Sequence, residues 1–348
     1  MYTETEKKEL FIFTIVAYGA PYLMGLLLWY AWAKELSVSA FASTQMLYPA
    51  AGVCLAFLIT RRGDKQVPRV FYISYLVVTV AMLVTTIFTV LIPGQMMTLP
   101  GGMQVSIWLL VNQYGLIVGN LICLVCYFVS GKKRRIAYGM KWRNWKPSLF
   151  CLGLFLFLYM ARLVLACAMQ GEMEIVAEIL KQSDTWLILA SLPLSFLLSF
   201  IAFFGEEYGW RYYLQPLLQK KFGLRGGVLV LGLVWGLWHL PLDFFFYVTP
   251  DKGVIQTTAQ IITCVSLGIF LAYVYGKTQN IWVPVVIHFL NNNLAVVFSQ
   301  EQTEQALQNQ EVTWAMIPIA LLLNGLFFGI FLLSRQFQRK ESVEEPET

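Results

Sequence analysis

The chain has 348 residues, 58% of them hydrophobic and only 13% charged, and its mean hydropathy is +0.63. Soluble domains carry about a quarter charged residues, so this composition excludes an ordinary soluble fold. The net charge of +5 comes from basic residues scattered over short loops. That pattern excludes a nucleic-acid footprint and leaves membrane topology and attraction to anionic headgroups.

Ten apolar windows follow one another, at 10–33, 41–60, 70–93, 106–130, 149–170, 186–205, 226–247, 255–276, 281–298 and 314–334. A membrane-crossing helix needs about 20 apolar residues, and Gly or Pro within such helices is tolerated. The expectation is an all-α polytopic membrane protein with about ten transmembrane helices. The N-terminal MYTETEKKEL carries both charges, and no small-residue cleavage site follows the run Phe11 to Ala33. That run is longer than a signal-peptide core, so it reads as a retained first helix. A four-helix N-terminal membrane region is expected over 1–148. A core follows over 149–334, and a cytoplasmic tail over 335–348.

All six cysteines lie inside apolar windows, the pattern of small buried hydrophobes rather than of a disulfide framework. Cys123 and Cys126 form a CxxC with no second cysteine pair or nearby histidine to complete a metal site, so they are read as packing residues.

Loop charge tests the window count. With the N-terminus inside and the spans alternating, inner segments hold 20 of the 25 basic residues, from Lys7 and Lys8 to Arg335, Arg339 and Lys340, with a dense run between Lys132 and Lys146. Outer segments hold Lys34, Lys181 and Lys252, together with the acids Glu172, Glu174, Glu178, Glu301, Glu304 and Glu311. A missed or invented span would scramble this sorting. Both termini are therefore expected on the cytoplasmic side of a multi-pass membrane protein (of the plasma membrane, if the source is bacterial). The ending ESVEEPET reads as a short acidic tail.

Three polar clusters interrupt the later windows, where each ionisable group costs about 2.5–3.5 kcal/mol to insert. In Gly205-Glu206-Glu207-Tyr208-Gly209-Trp210-Arg211, helical spacing sets Glu207 and Arg211 one turn apart, so that they can neutralise each other. Glu206 lies about 100° round the helix and is left without that partner. In Trp235-Gly236-Leu237-Trp238-His239-Leu240-Pro241, His239 is one of only two histidines, and Asp243 four residues on could orient it. In His288-Phe289-Leu290-Asn291-Asn292, His288 and Asn292 share a helix face. Snorkelling charges, a hydrogen-bonded core histidine and helix-packing amides are the bland readings of the three. None of them explains three such clusters within 87 residues.

Together these clusters contain what peptide hydrolysis needs. A carboxylate can take a proton from water with help from an imidazole, a contribution of roughly 10²- to 10⁴-fold. A second imidazole and an amide can donate to a developing oxyanion, worth on the order of 10²- to 10³-fold. Residue counting leaves a tension, because His239 falls about 20 Å along its helix from the level of Glu206 and His288. Convergence requires that its helix tilts or starts later.

The segments EEYGWR, WGLWH and HFLNN resemble, in order, the three motifs of the CPBP family, the CAAX-protease and bacteriocin-processing intramembrane endopeptidases that include Rce1-type and Abi-type proteins. Their patterns are EExxxR, FxxxH and HxxxN. Trp235 stands where phenylalanine is usual, an aromatic exchange that puts little in doubt. The resemblance covers about 186–298 and lends no support to the first four windows.

It implies an endopeptidase acting on a membrane-associated protein or peptide. Glu206 would activate water, His239 would assist, His288 and Asn292 would form the oxyanion site, and Glu207 and Arg211 would support them. No cofactor is expected. The alternative is zinc held by Glu206, His239 and His288 with an open fourth position, although the HExxH arrangement is absent. Family members cleave prenylated CAAX proteins or take part in peptide maturation, self-immunity and scaffolding. The alternative function is thus a non-catalytic scaffold or bacteriocin self-immunity protein that keeps the fold. A transporter would need broken-helix repeats in both halves, which the sequence does not show.

Overall fold

The computed structural model describes residues 2–98, 104–299 and 304–338. Glu301, Arg339, Lys340 and the acidic tail 341–348 lie outside the described residues. Among the described residues the fold is all-α apart from one two-stranded antiparallel ribbon, Met96–Thr98 (β1) with Gln104–Ser106 (β2), which lies between two long helices in the chain.

Each apolar window carries a helix. The first five are α1 (Glu4–Ala33), α2 (Ser39–Thr60), α3 (Arg69–Leu91), α4 (Ile107–Val129) and, after the short α5 (Lys132–Ala137), α6 (Trp145–Gln170). The amphipathic α7 (Met173–Lys181) precedes α8, which opens as Ser183–Glu207, widens in a π-helical turn Tyr208–Leu214 and continues over 215–222. Gly223, at φ 77° and ψ 167°, reverses the chain into α9 (224–238), a backbone conformation that glycine adopts without penalty. The short α10 (Leu240–Phe245), α11 (Gly253–Thr278), α12 (Trp282–Val297) and α13 (Met316–Phe327) complete the order. By length and composition seven apolar helical stretches can cross a bilayer, one of them being the 63-residue α8–α10 stretch that holds two of the windows. α12 and α13 are shorter, at 16 and 12 residues, or about 24 and 18 Å at 1.5 Å per residue. Each falls short of the roughly 30 Å hydrocarbon core.

Two sequence boundaries are corrected here. The sixth window was expected to end at residue 205, with Glu206 at its inner end. The helix instead runs on to 222, so Glu206 is interior. The seventh window, 226–247, is not one helix: it breaks at His239, just ahead of Pro241. A proline ring and its missing N–H end a helix in this way.

Close backbone approach gathers the helices. Side chains at Gly205 and Gly209 would collide with α2 and its lead-in, where an added Cβ would sit 2.2 Å from the Met46 carbonyl and 2.3 Å from Pro49. The pair Gly232 and Gly236 does the same against Val265 and Ile261 of α11. Both are glycines four apart, the spacing that lets membrane helices touch. One hydrophobic core runs through both halves of the chain, from Phe13, Phe57 and Tyr72 to Phe204, Phe270 and Phe328. Large apolar side chains such as Leu23, Val80, Phe157 and Leu321 cover the outside, as a lipid-facing surface requires.

Candidate active site

The level mismatch expected from residue counting disappears in this fold. Glu206 lies 17 residues before the reversal at Gly223 and His239 lies 16 after it. Two antiparallel helical arms of nearly equal length bring them to the same depth. The helix carrying His239 starts at 224, close to where the sequence places it; the levels match because the preceding arm runs on to 222 and sets Glu206 deeper than expected.

Trp235 is the meeting point. Its indole Nε1–H donates to Glu206 Oε2 at 2.7 Å, with a longer donation from Trp210 Nε1 at 3.4 Å. The His239 and His288 rings both border the Trp235 ring, with centroids 6.1 and 5.5 Å away. The Arg211 guanidinium lies over the same ring at 4.7 Å, a cation–π contact. Glu206, Glu207, Arg211, His239 and His288 are all buried.

Glu206 and Glu207 diverge in their partners. Glu207 Oε2 accepts from Arg211 Nε at 2.9 Å and its Oε1 pairs with His288 Nδ1 at 2.9 Å. Both of its oxygens are thus engaged, which satisfies a buried carboxylate. Glu206 receives only neutral N–H donors, all on one oxygen, and among the described residues Oε1 accepts none.

His239 is held by the end of its helix. Its backbone N–H bonds to the Gly236 carbonyl at 3.1 Å, a tightened last turn that frees the Trp235 carbonyl, and His239 Nδ1 takes that oxygen at 2.9 Å. A carbonyl only accepts, so Nδ1 carries the hydrogen and Nε2 keeps its lone pair. Asp243 does not orient the imidazole as the sequence suggested. Its backbone N–H reaches the His239 carbonyl, and among the described residues its two fully buried carboxylate oxygens close no hydrogen bond.

The N-terminal helices build this helix end. Pro241 has no N–H for the Leu237 carbonyl, and the Tyr22 hydroxyl donates to that oxygen at 2.8 Å. Gln45 Nε2 donates to the Trp238 carbonyl at 3.0 Å, and Tyr18 donates to the Val234 carbonyl at 3.0 Å. Trp238 Nε1 donates to Ala17 O at 2.7 Å, within the π-helical turn Ile15–Gly19 of α1. Sequence reasoning missed Tyr18, Tyr22 and Gln45; the only signal was the proline two residues after His239.

It also undervalued Trp235, whose Nε1–H is a donor that phenylalanine lacks. Asn292 follows His288 by one turn on α12 and is only partly buried. Its Oδ1 accepts from Asn291 Nδ2 at 3.2 Å, and among the described residues its own amide N–H groups have no partner. Among the described residues no three His, Cys, Asp or Glu side chains gather to hold a metal ion. The cysteines are free thiols.

Residues 188–294 match the family model described as Type II CAAX prenyl endopeptidase Rce1-like, a stretch that includes every residue of the three motifs. The chain is similar to CAAX prenyl protease 2 of Methanococcus maripaludis, at 30% identity over 142 residues, 39% of this chain and 52% of that protein. It is also similar to the Bacillus subtilis protein named "Putative membrane peptidase YdiL", at 23% identity over 99 residues, 27% of this chain and 38% of that protein. The chain thus spans about half or less of the length of the curated relatives it matches. No solved structure matches it. Glu206, Arg211, His239 and His288, which gather around the Trp235 indole, all lie within the stretch 188–294 that is similar to the Rce1-like family.

Proposed function

We propose that this protein is an intramembrane endopeptidase that hydrolyses a peptide bond of a membrane-associated protein or peptide, with Glu206 activating the water. The observation that carries this reading is the asymmetry at Glu206: one oxygen is held by the Trp235 and Trp210 indoles while, among the described residues, Oε1 accepts nothing. A carboxylate fixed at one oxygen and open at the other presents a lone pair to a water molecule in a constant direction. His239, whose ring borders the same Trp235 indole, shares in deprotonation or in passing the proton to the leaving amine through its Nε2 lone pair.

On the opposite side, His288 is held at Nδ1 by Glu207 Oε1. In this reading an Nε2–H on that ring and the amide N–H groups of Asn292 donate to the oxyanion. Glu207 and Arg211 act through His288 and do not touch the reacting atoms. The roles close on this chain's own groups without a resident metal. A scaffold or self-immunity role that keeps the fold is the alternative reading, and no contact in the structure favours it.

The printed name of the archaeal relative makes a prenylated C-terminal peptide the first substrate to offer. The test is reconstitution into proteoliposomes with prenylated and unprenylated membrane-anchored peptides, and mass spectrometry of the products. Wild-type protein cleaves at least one of them and Glu206→Gln cleaves none. Equal cleavage by Glu206→Gln contradicts the mechanism, and a biological phenotype that survives this substitution favours the scaffold.

A further inference from the structure

A second cavity lies away from the Glu206 site, where α4 ends and α5 begins. It measures about 360 Å³ and is lined by Tyr127, Phe128, Lys132, Arg135, Lys141 and Trp142. Three cations meet three aromatic rings there, with no acid in the wall. Among the described residues none of these cations forms an ion pair. The Arg135 guanidinium lies over the Tyr127 ring at 4.5 Å and the Phe128 ring at 5.2 Å, and among the described residues its buried Nε has no hydrogen-bond partner.

The rim identifies the medium that the cavity faces. Phe128, Val129, Trp142 and Trp145 are exposed around it, and Leu121, Ile122 and Val125 continue an exposed apolar face along α4. Basic side chains beside exposed tryptophan and apolar residues mark the headgroup level of a bilayer. Unpaired cations at that level attract anionic lipid. A soluble phosphate would use the cations and leave the apolar face of α4 unused, whereas a phospholipid uses both.

The cavity wall is also tied to the candidate active site. Tyr127 Oη and Trp282 Nε1 donate to the same Met140 carbonyl, each at 2.8 Å, and the two rings meet edge to face at 5.4 Å. Trp282 stacks on Phe204, two residues before Glu206, and is the first residue of α12, which carries His288. Lys141 and Trp142 directly follow Met140.

We propose that this cavity binds the headgroup phosphate of an anionic phospholipid, its acyl chains lying along α4, and that the bound lipid holds segment 140–142 against Trp282 at the start of α12. The inference does not depend on the peptidase reading. Its test is native mass spectrometry of full-length protein in detergent, titrated with phosphatidylglycerol, phosphatidylcholine or inorganic phosphate.

The cavity variant is Lys132→Gln with Lys141→Gln, both exposed positions, and the control is Lys8→Gln with Lys221→Gln, which removes the same charge elsewhere. Phosphatidylglycerol binding is expected to weaken roughly 30-fold in the cavity variant and to stay within about twofold in the control. Hydrogen exchange at 139–144 and 281–286 is expected to slow with phosphatidylglycerol in wild type and in the control, but not in the cavity variant. Equal weakening in both variants, or unchanged exchange in wild type, overturns the proposal. Inorganic phosphate competing as well as the lipid overturns the lipid assignment.

Discussion

Glu206 and Glu207 are neighbours in sequence that face opposite environments across α8. Glu206 meets two indole N–H groups, from Trp210 on its own helix and from Trp235 of α9, and among the described residues forms no ion pair. Toward α12, Glu207 is locked between Arg211 and His288. A buried carboxylate with a full set of charged partners is structural by design, because its oxygens have nothing left to offer. A buried carboxylate held by neutral donors on one oxygen keeps the other for chemistry. The same division separates the two histidines: His239 is held by backbone carbonyls and helix-end caps, His288 by an ion-pair chain.

Glu207→Gln should break the comparison most severely. It strands Arg211, fully buried, whose Nη1 and Nη2 already have no partner among the described residues. Removing one member of a buried pair costs about 3–5 kcal/mol. Thermal unfolding in detergent should show the loss directly, and an unchanged transition would remove the structural role assigned to this side. Trp235→Phe tests the other side, since it keeps the ring and restores the usual family residue but deletes the donor to Glu206. Cleavage should fall on the order of 10- to 100-fold, as for losing a hydrogen bond to a charged group. The drop should appear in kcat more than in KM, and a fall confined to KM would assign Trp235 to substrate binding instead.

Tyr22→Phe is a smaller perturbation of the His239 side. It leaves the Leu237 carbonyl uncapped at a cost of about 1 kcal/mol, measurable as a lower unfolding temperature with a modest loss of rate. No change in either would deny α1 its part in setting the helix end.

Asp64→Asn, in the loop after α2, is a control outside both sides. The Tyr138 hydroxyl donates to Asp64 Oδ2 at 2.6 Å and, with the Gln66 backbone N–H, holds this carboxyl below its ordinary value. A depressed carboxyl stabilises the fold above its unfolded-state value, near 3.8, and that contribution is lost as pH falls through the lower folded-state value. Wild type and Asp64→Asn should therefore differ slightly at neutral pH and converge in strong acid, with identical cleavage rates. A rate difference would mean that the loop communicates with the site.

Much of the fold was legible because apolar periodicity and loop charge act locally. Each of the ten windows holds a helix, and the anomaly of charged groups inside apolar spans marked all three motifs. Glu207 with Arg211 was readable from spacing alone. The salt link from Glu207 to His288 was not, since it joins residues 81 apart on separate helices. The depth of His239 was misjudged because the polar stretch 206–225 reads as a loop. Its helicity comes from tertiary contacts: Gly205 and Gly209 against α2, and Gly227 against the backbone of Gln219 across the reversal. Asp243 was a reasonable partner for His239 by spacing, but the break before Pro241 supplied a nearer acceptor in the Trp235 carbonyl. The caps from Tyr22 and Gln45 depend on how α1 and α2 pack, which no local pattern encodes.

The central claim is that Glu206 performs chemistry and Glu207 holds structure. The most direct measurement is the cleavage rate per folded molecule of Glu206→Gln and Glu207→Gln, side by side in the same proteoliposomes. Glu206→Gln keeps an acceptor for the Trp235 N–H, so it should unfold at nearly the wild-type temperature while its rate drops roughly 10²- to 10⁴-fold. Glu207→Gln should lose folded protein first and retain more activity in each molecule that remains folded. Undiminished cleavage by folded Glu206→Gln, or a deeper loss per folded molecule in Glu207→Gln, would contradict the account.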